Sequence, residues 1–261
     1  MKMTMKKTIT KSLWTAGLAV FVATPVLAAP HGHGTDILHF SIREDFQNQG
    51  VEPNASGHVQ ASQNQQGHAN NQTLDITAKG LMSGTNYGLF ALLGSDTSLT
   101  SITNFITDAN GNVTIHYRSV GHGHGGGKDK IPLPDALNPV SNIRELDIAD
   151  AGGTVVLAAD FTAPGKLHLL VKRNLSANGV SAELMIKASS TNHAQLSVMA
   201  SGLTQSSDYS LALDGAPVQT GTSDRKGKLH ITTRQDINIL SVSSVALWDS
   251  SSNVVVSTTL P

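Results

Sequence analysis

Histidine is the residue type that stands out for chemistry. The 261-residue chain has 11 histidines and no cysteine. Two pairs stand in identical HGHG motifs, His31 and His33 near the start and His122 and His124 within GHGHGGGKDK. Imidazole binds zinc, copper and nickel, and a His-x-His pair in a glycine loop can turn both rings onto one ion. His31, His33, His122 and His124 are therefore candidate metal ligands, with Zn, Cu or Ni as the possible cofactor. The competing reading is a solvated loop. A preformed site needs three or four ligands oriented by outer hydrogen bonds, and glycine on every side leaves the ordering entropy to the metal. The other histidines, His39, His116, His168 and His230, fall in the polar phase of strand-like segments and are expected on a surface.

Other catalytic chemistry finds less support. There is no cysteine nucleophile and no G-x-S-x-G elbow. Serine, histidine and aspartate are plentiful, but no spacing singles out a triad, which is recognised by geometry. Asp135, Glu145, Asp147 and Asp150 are acidic without a partner motif. Asp108-Ala-Asn-Gly-Asn has the look of a calcium loop, yet the matching turn carries Arg225 and Lys226, so a hairpin turn is expected in both. The chain is read as a non-enzyme. Trp248 follows core-phase Val245 and Leu247, so its ring is expected to face outward, against the other half of the chain or as a partner contact.

The elements that would position these residues come from a tandem repeat. Residues 80–87, GLMSGTNY, return loosely as residues 202–209, GLTQSSDY. Alternating strands lead in, with Leu74, Ile76 and Ala78 in the first copy and Leu196, Val198 and Ala200 in the second. Leu38-His39-Phe40 matches Leu167-His168-Leu169, Gly50-Val51 matches Gly179-Val180, and Val155-Val156-Leu157 matches Val254-Val255-Val256. The stretch from Arg118 to Leu146 exceeds its counterpart, Arg234 to Val245, by 17 residues. That insertion, residues 121–142, is rich in His, Gly and Pro and is where a rigid scaffold would place binding. The Gln- and Asn-rich residues 60–72 are expected as a wide loop, with self-assembly through them as a minor reading. Period-two alternation with one polar face predicts antiparallel sheets covered on one side, and two such sheets face to face make a sandwich.

The first 28 residues read as a signal peptide: a basic start with Lys2, Lys6, Lys7 and Lys11, a short apolar run, and the small-residue end Val26-Leu27-Ala28. Removing it leaves 14 Lys and Arg against 19 Asp and Glu, a net charge of −5. That balance argues against nucleic acid as a partner. No second apolar span follows, so no transmembrane segment is expected after cleavage.

The Leu-x5-Tyr spacing of Leu81 to Tyr87 and Leu203 to Tyr209 resembles the tyrosine corner of fibronectin type III and other immunoglobulin-like domains. The resemblance implies a Tyr hydroxyl bonded back to the backbone beside the Leu. The GL-x5-Y strand, the TDANG turn and the closing D-x4-VV strand resemble repeats in uncharacterised secreted bacterial proteins. The expectation is all-β: two tandem antiparallel Greek-key β-sandwich domains of immunoglobulin-like type. Residues 29–36 form a polar lead, 37–163 the first repeat and 166–261 the second. The expected function is a non-catalytic binding or structural module of the cell envelope or extracellular matrix, secreted or periplasmic, with an envelope or extracellular protein or polymer as partner. The alternatives are a transition-metal binder using the HGHG motifs and a hydrolase on a sandwich scaffold.

Overall fold

Leu38, Phe40 and Ile42 are buried while His39 between them and Arg43 just beyond are exposed. Only a strand with one covered face turns that spacing into that burial. In the computed structural model, which describes residues 36–67, 69–119, 131–163 and 165–260, the pattern repeats along the whole chain. The first repeat holds β1 (Ile37–Asp45), β2 (Gln47–Asn48), β3 (Ser56–Gln66), β4 (Ala69–Lys79), β5 (Asn86–Leu93), β6 (Thr100–Ile106), β7 (Val113–Arg118), β8 (Ile131–Pro132), β9 (Ile143–Ala149) and β10 (Val155–Asp160). The second holds β11 (Lys166–Ala177), β12 (Val180–Ser190), β13 (His193–Ser201), β14 (Asp208–Leu213), β15 (Ala216–Thr222), β16 (Leu229–Gln235), β17 (Ser244–Asp249) and β18 (Val254–Thr259). The architecture is all-β and sandwich-like. Among the described residues the only helical pieces are three short 3-10 turns.

The strands form three sheets. In the first repeat β1-β3-β4-β7 lie side by side in one sheet, and β10-β9-β5-β6 in another. In the second, β11-β12-β13-β16 and β18-β17-β14-β15 follow the same two orders. The first group of each repeat belongs to one nine-stranded sheet, because β1 pairs with β11 antiparallel. Phe40 stands opposite Leu169, its own counterpart in the repeat, and Leu38 and Ile42 stand opposite Val171 and Leu167. The junction is therefore self-complementary about the Phe40/Leu169 pair. Thr162 and Ala163, in the connection between the repeats, are held from the second repeat. Buried Thr191 donates to the Ala163 carbonyl at 2.9 Å, and Asn238 Nδ2 donates to the Thr162 carbonyl at 3.0 Å.

Both tyrosine corners form. The Met82 amide donates to the Tyr87 hydroxyl and the Thr204 amide to the Tyr209 hydroxyl, each at 3.0 Å. A buried hydroxyl closes each corner from the facing loop: Thr107 Oγ1 donates to the Met82 carbonyl and Ser223 Oγ to the Thr204 carbonyl, each at 2.6 Å. Gly111 and Gly227 approach so closely that an added Cβ would collide with the Leu81 and Leu203 carbonyl oxygens. The Asp108 and Asp224 turns are alike, each Oδ1 accepting two amides at 2.8 Å. They are not hairpins as expected, for each joins strands of different sheets.

Three other expectations are corrected. Residues 60–72 are not a wide loop but most of the β3–β4 hairpin. Their polarity is used inward: Gln63 and Gln72 are buried in register with Phe40 and carry the strands where apolar residues stop. The Gly50-Val51 match also shifts, since the Asn54 carbonyl stands against Gly80 as the Gly179 carbonyl stands against Gly202. The described end of the insertion is packed rather than free. Leu137 and Val140 are fully buried, and Gln72 clamps them by donating to Asn138 Oδ1 at 2.7 Å and accepting from the Val140 amide at 2.8 Å.

Candidate functional site

Alternation sends every second side chain of the nine-stranded sheet away from the core, and the residues sent there are not a random sample. All six histidines among the described residues lie on its strands: His39, His58, His116, His168, His193 and His230. Each is out of phase with the buried residues beside it, and all but half-buried His58 are exposed. The placement of His39, His116, His168 and His230 agrees with the sequence reading.

Charge follows the same division. Strands of the nine-stranded sheet carry eight Lys and Arg against four Asp and Glu. Strands of the two smaller sheets carry one, Arg144, against five, Glu145, Asp147, Asp160, Asp208 and Asp249. The outward cations are Arg43 on β1, Lys79 on β4, Arg118 on β7, Lys166 and Lys172 on β11, Lys187 on β12 and Arg234 on β16. Three carboxylates share that face. Asp75 is met by His116 at 2.8 Å and Arg118 at 3.2 Å, Glu183 by Lys172 at 2.8 Å, and Asp45 stands in register with His58. Beside the sheet, His193 meets Asp236 at 2.7 Å. A depression of about 600 Å³ lies on the second repeat's part of the face, where Glu183, Met199 and His230 form one cross-strand row.

On the far side of the molecule Asp147 is 3% exposed, with Oδ1 buried and without a hydrogen-bond partner. Burial, and then the Glu145 carboxylate beside it, push its carboxyl up to about 7. The two share one face of β9 by strand alternation. A groove of about 490 Å³ runs between the repeats, lined by Ser141, Arg144, Asn238 and Leu240 among others. These are the buried acid and the cleft that a hydrolase reading would need, but Asp147 does not line the groove.

His31, His33, His122 and His124 lie outside the described residues. Among the described residues no group of three or more His, Asp or Glu side chains is placed to hold a metal ion. Trp248 sits on β17 between Ser210 and Val254, half-buried, with its Nε1 buried and unpartnered. Among the described residues no helix is long and apolar enough to cross a membrane. No protein-family model matches the chain, and no curated protein matches it in sequence.

The histidine and cation face was not legible as a unit in the sequence. The signal existed, since each of its members falls in the polar phase of a strand. What was missing was knowledge of which strands share a sheet.

Proposed function

We propose that the protein is an exported, non-catalytic binding module of the cell envelope or extracellular matrix. It is built as two tandem immunoglobulin-like Greek-key sandwiches, and its working surface is the outer face of the shared sheet. The observation that carries this reading is the sorting of charge by sheet, which gives a chain of net acidic mature composition one broad basic face. Trp248 offers a second contact on the opposite side. The alternative, a binder of Zn, Cu or Ni through His31, His33, His122 and His124, rests on the sequence motifs alone.

The test is co-sedimentation of the mature protein with envelope and extracellular-matrix fractions, beside an R43E/K187E/R234E variant. The expected result is retention of the wild type, loss of retention in the variant, and no breakdown of the retained material. Failure of every fraction to retain the protein overturns the reading, as does release of cleavage products. Calorimetric titration with zinc, copper and nickel separates the alternative. Micromolar binding that is lost in H122A/H124A would replace the module reading with the metal one.

A further inference from the structure

The chemistry of the basic face narrows what it can hold. Eight strand-to-strand steps separate β16 from β8, so the face is about 38 Å across at the usual strand spacing. That is wide enough to meet many groups of one extended polymer at once. Between the cations its outward positions are hydroxyls and amides, among them Ser41, Gln60, Ser62, Asn64, Thr73 and Gln195. Such groups both donate and accept, as sugar hydroxyls do.

The outward positions of these strands carry no Phe, Tyr or Trp among the described residues. A neutral glycan relies on aromatic stacking, and single-stranded nucleic acid relies on base stacking. A bilayer needs a contiguous apolar face, whereas Leu170, Met185 and Met199 stand here among polar neighbours. A polymer held by charge and by hydroxyl hydrogen bonds fits without any of these.

The histidines make the charge of the face variable, because imidazole as a residue type titrates around pH ~6.5. Their surroundings are mixed. His39 stands opposite Leu170 and Asn64, and diagonal to His168, which stands opposite Ser41. His58 faces Asp45 and Thr77, and His116 faces Asp75 beside Arg118. His193 faces Asp236, and His230 faces Met199 with Ser197 and Thr232 on its ring. Three have a carboxylate at hand. The other three, His39, His168 and His230, have none among these partners, so their protons add directly to the positive face.

We infer that the outer face of the nine-stranded sheet binds an acidic polysaccharide through its carboxylates and hydroxyls, and grips it more tightly as the histidines gain protons. The inference rests on the binding-module reading and supplies its partner class.

The experiment measures binding of the mature full-length chain to immobilised polygalacturonate at about pH 5 and about pH 7.5, with dextran as the neutral control. Affinity at the lower pH should be at least about tenfold higher and should fall with added salt. H39Q/H168Q/H230Q, checked for folding by circular dichroism, should keep the binding near neutrality and lose most of the pH effect. R43E/K187E/R234E should abolish binding at both. Absence of binding to polygalacturonate overturns the inference, as does equal binding to dextran. So does a pH effect unchanged in the histidine variant, or stronger binding to phosphatidylglycerol vesicles or to poly-dT. If matrix fractions retain the protein while polygalacturonate does not, the partner class falls and the module reading stands. If neither retains it, both fall.

Discussion

The Tyr87 hydroxyl donates to the Glu52 carboxylate, while the other Glu52 oxygen accepts the same Met82 amide that donates to Tyr87. Tyr209 makes the matching bond to Thr204 but has no carboxylate partner among the described residues. At the tyrosine hydroxyl, one corner is thus a three-member network and the other a single bond. Tyr87 is fully buried, and burial followed by Glu52 pushes its phenol up to about 12. A folded-state value above the unfolded one favours the folded protein while the phenol keeps its proton. That contribution is complete below about pH 10 and is lost as pH rises through about 12. Chemical denaturation across that window should show wild-type stability falling and Y87F falling less. At neutral pH, Y87F should cost about 1–2 kcal/mol.

Asp147 gives a pH dependence at the other end of the scale. Its folded value, pushed up to about 7, lies above the ordinary aspartate value. Its contribution is present at acid pH and is lost as pH rises through about 7. D147N should match wild type at about pH 4 and exceed it at about pH 8 by 1 kcal/mol or more, since the amide never has to bury a charge. Denaturation midpoints at the two pH values check this, and equal midpoints at the higher one would refute it.

Two of the close-approach glycines, Gly111 and Gly227, should be intolerant in a way that positive φ alone does not explain. Gly111, Gly227 and Gly215 have φ of +75°, +67° and +80°, but only the first two would drive a Cβ into a carbonyl oxygen. G111A and G227A should each cost more than about 2 kcal/mol, whereas G215A should cost about 1 kcal/mol. Thermal midpoints of the three variants, measured side by side, decide it.

Gln72 holds the described end of the insertion by two bonds to a segment whose apolar residues fill the sandwich end. Q72A should leave Asn138 Oδ1 and the Val140 amide without partners and destabilise the chain by about 2–3 kcal/mol. Limited proteolysis should then cut near residues 131–142 well before the rest of the chain. A digestion pattern identical to wild type would show that Leu137 and Val140 hold the segment without the glutamine.

The corners, the core phase of the strands and the repeat were readable because each has a local signal. Leu-x5-Tyr, period-two burial and the Asp108 and Asp224 turns all lie within a few residues of sequence. Residues 60–72 were misread because Gln63 and Gln72 are buried on the inner face of the hairpin, which composition does not separate from exposed glutamine. The insertion end was misread because Leu137 sits between Pro134 and Pro139 and Val140 directly after Pro139, without periodicity. Net charge was misleading for a related reason. A total of −5 over residues 29–261, within the −1 of the full sequence, contains an acidic side and a basic side, and which residue belongs to which depends on strand pairing over long separations.

The pairing of β1 with β11 has a consequence for how the molecule responds to dilution. Two separate copies of one repeat joined through that edge would be an isologous dimer, with Phe40 (or, for the second repeat, Leu169) meeting its own copy at the axis, and would come apart as concentration fell. Here the short link at residues 162–165 makes the same contact intramolecular, so its occupancy is set by effective concentration rather than by the amount of protein present. The chain keeps its full-width sheet, however dilute it becomes.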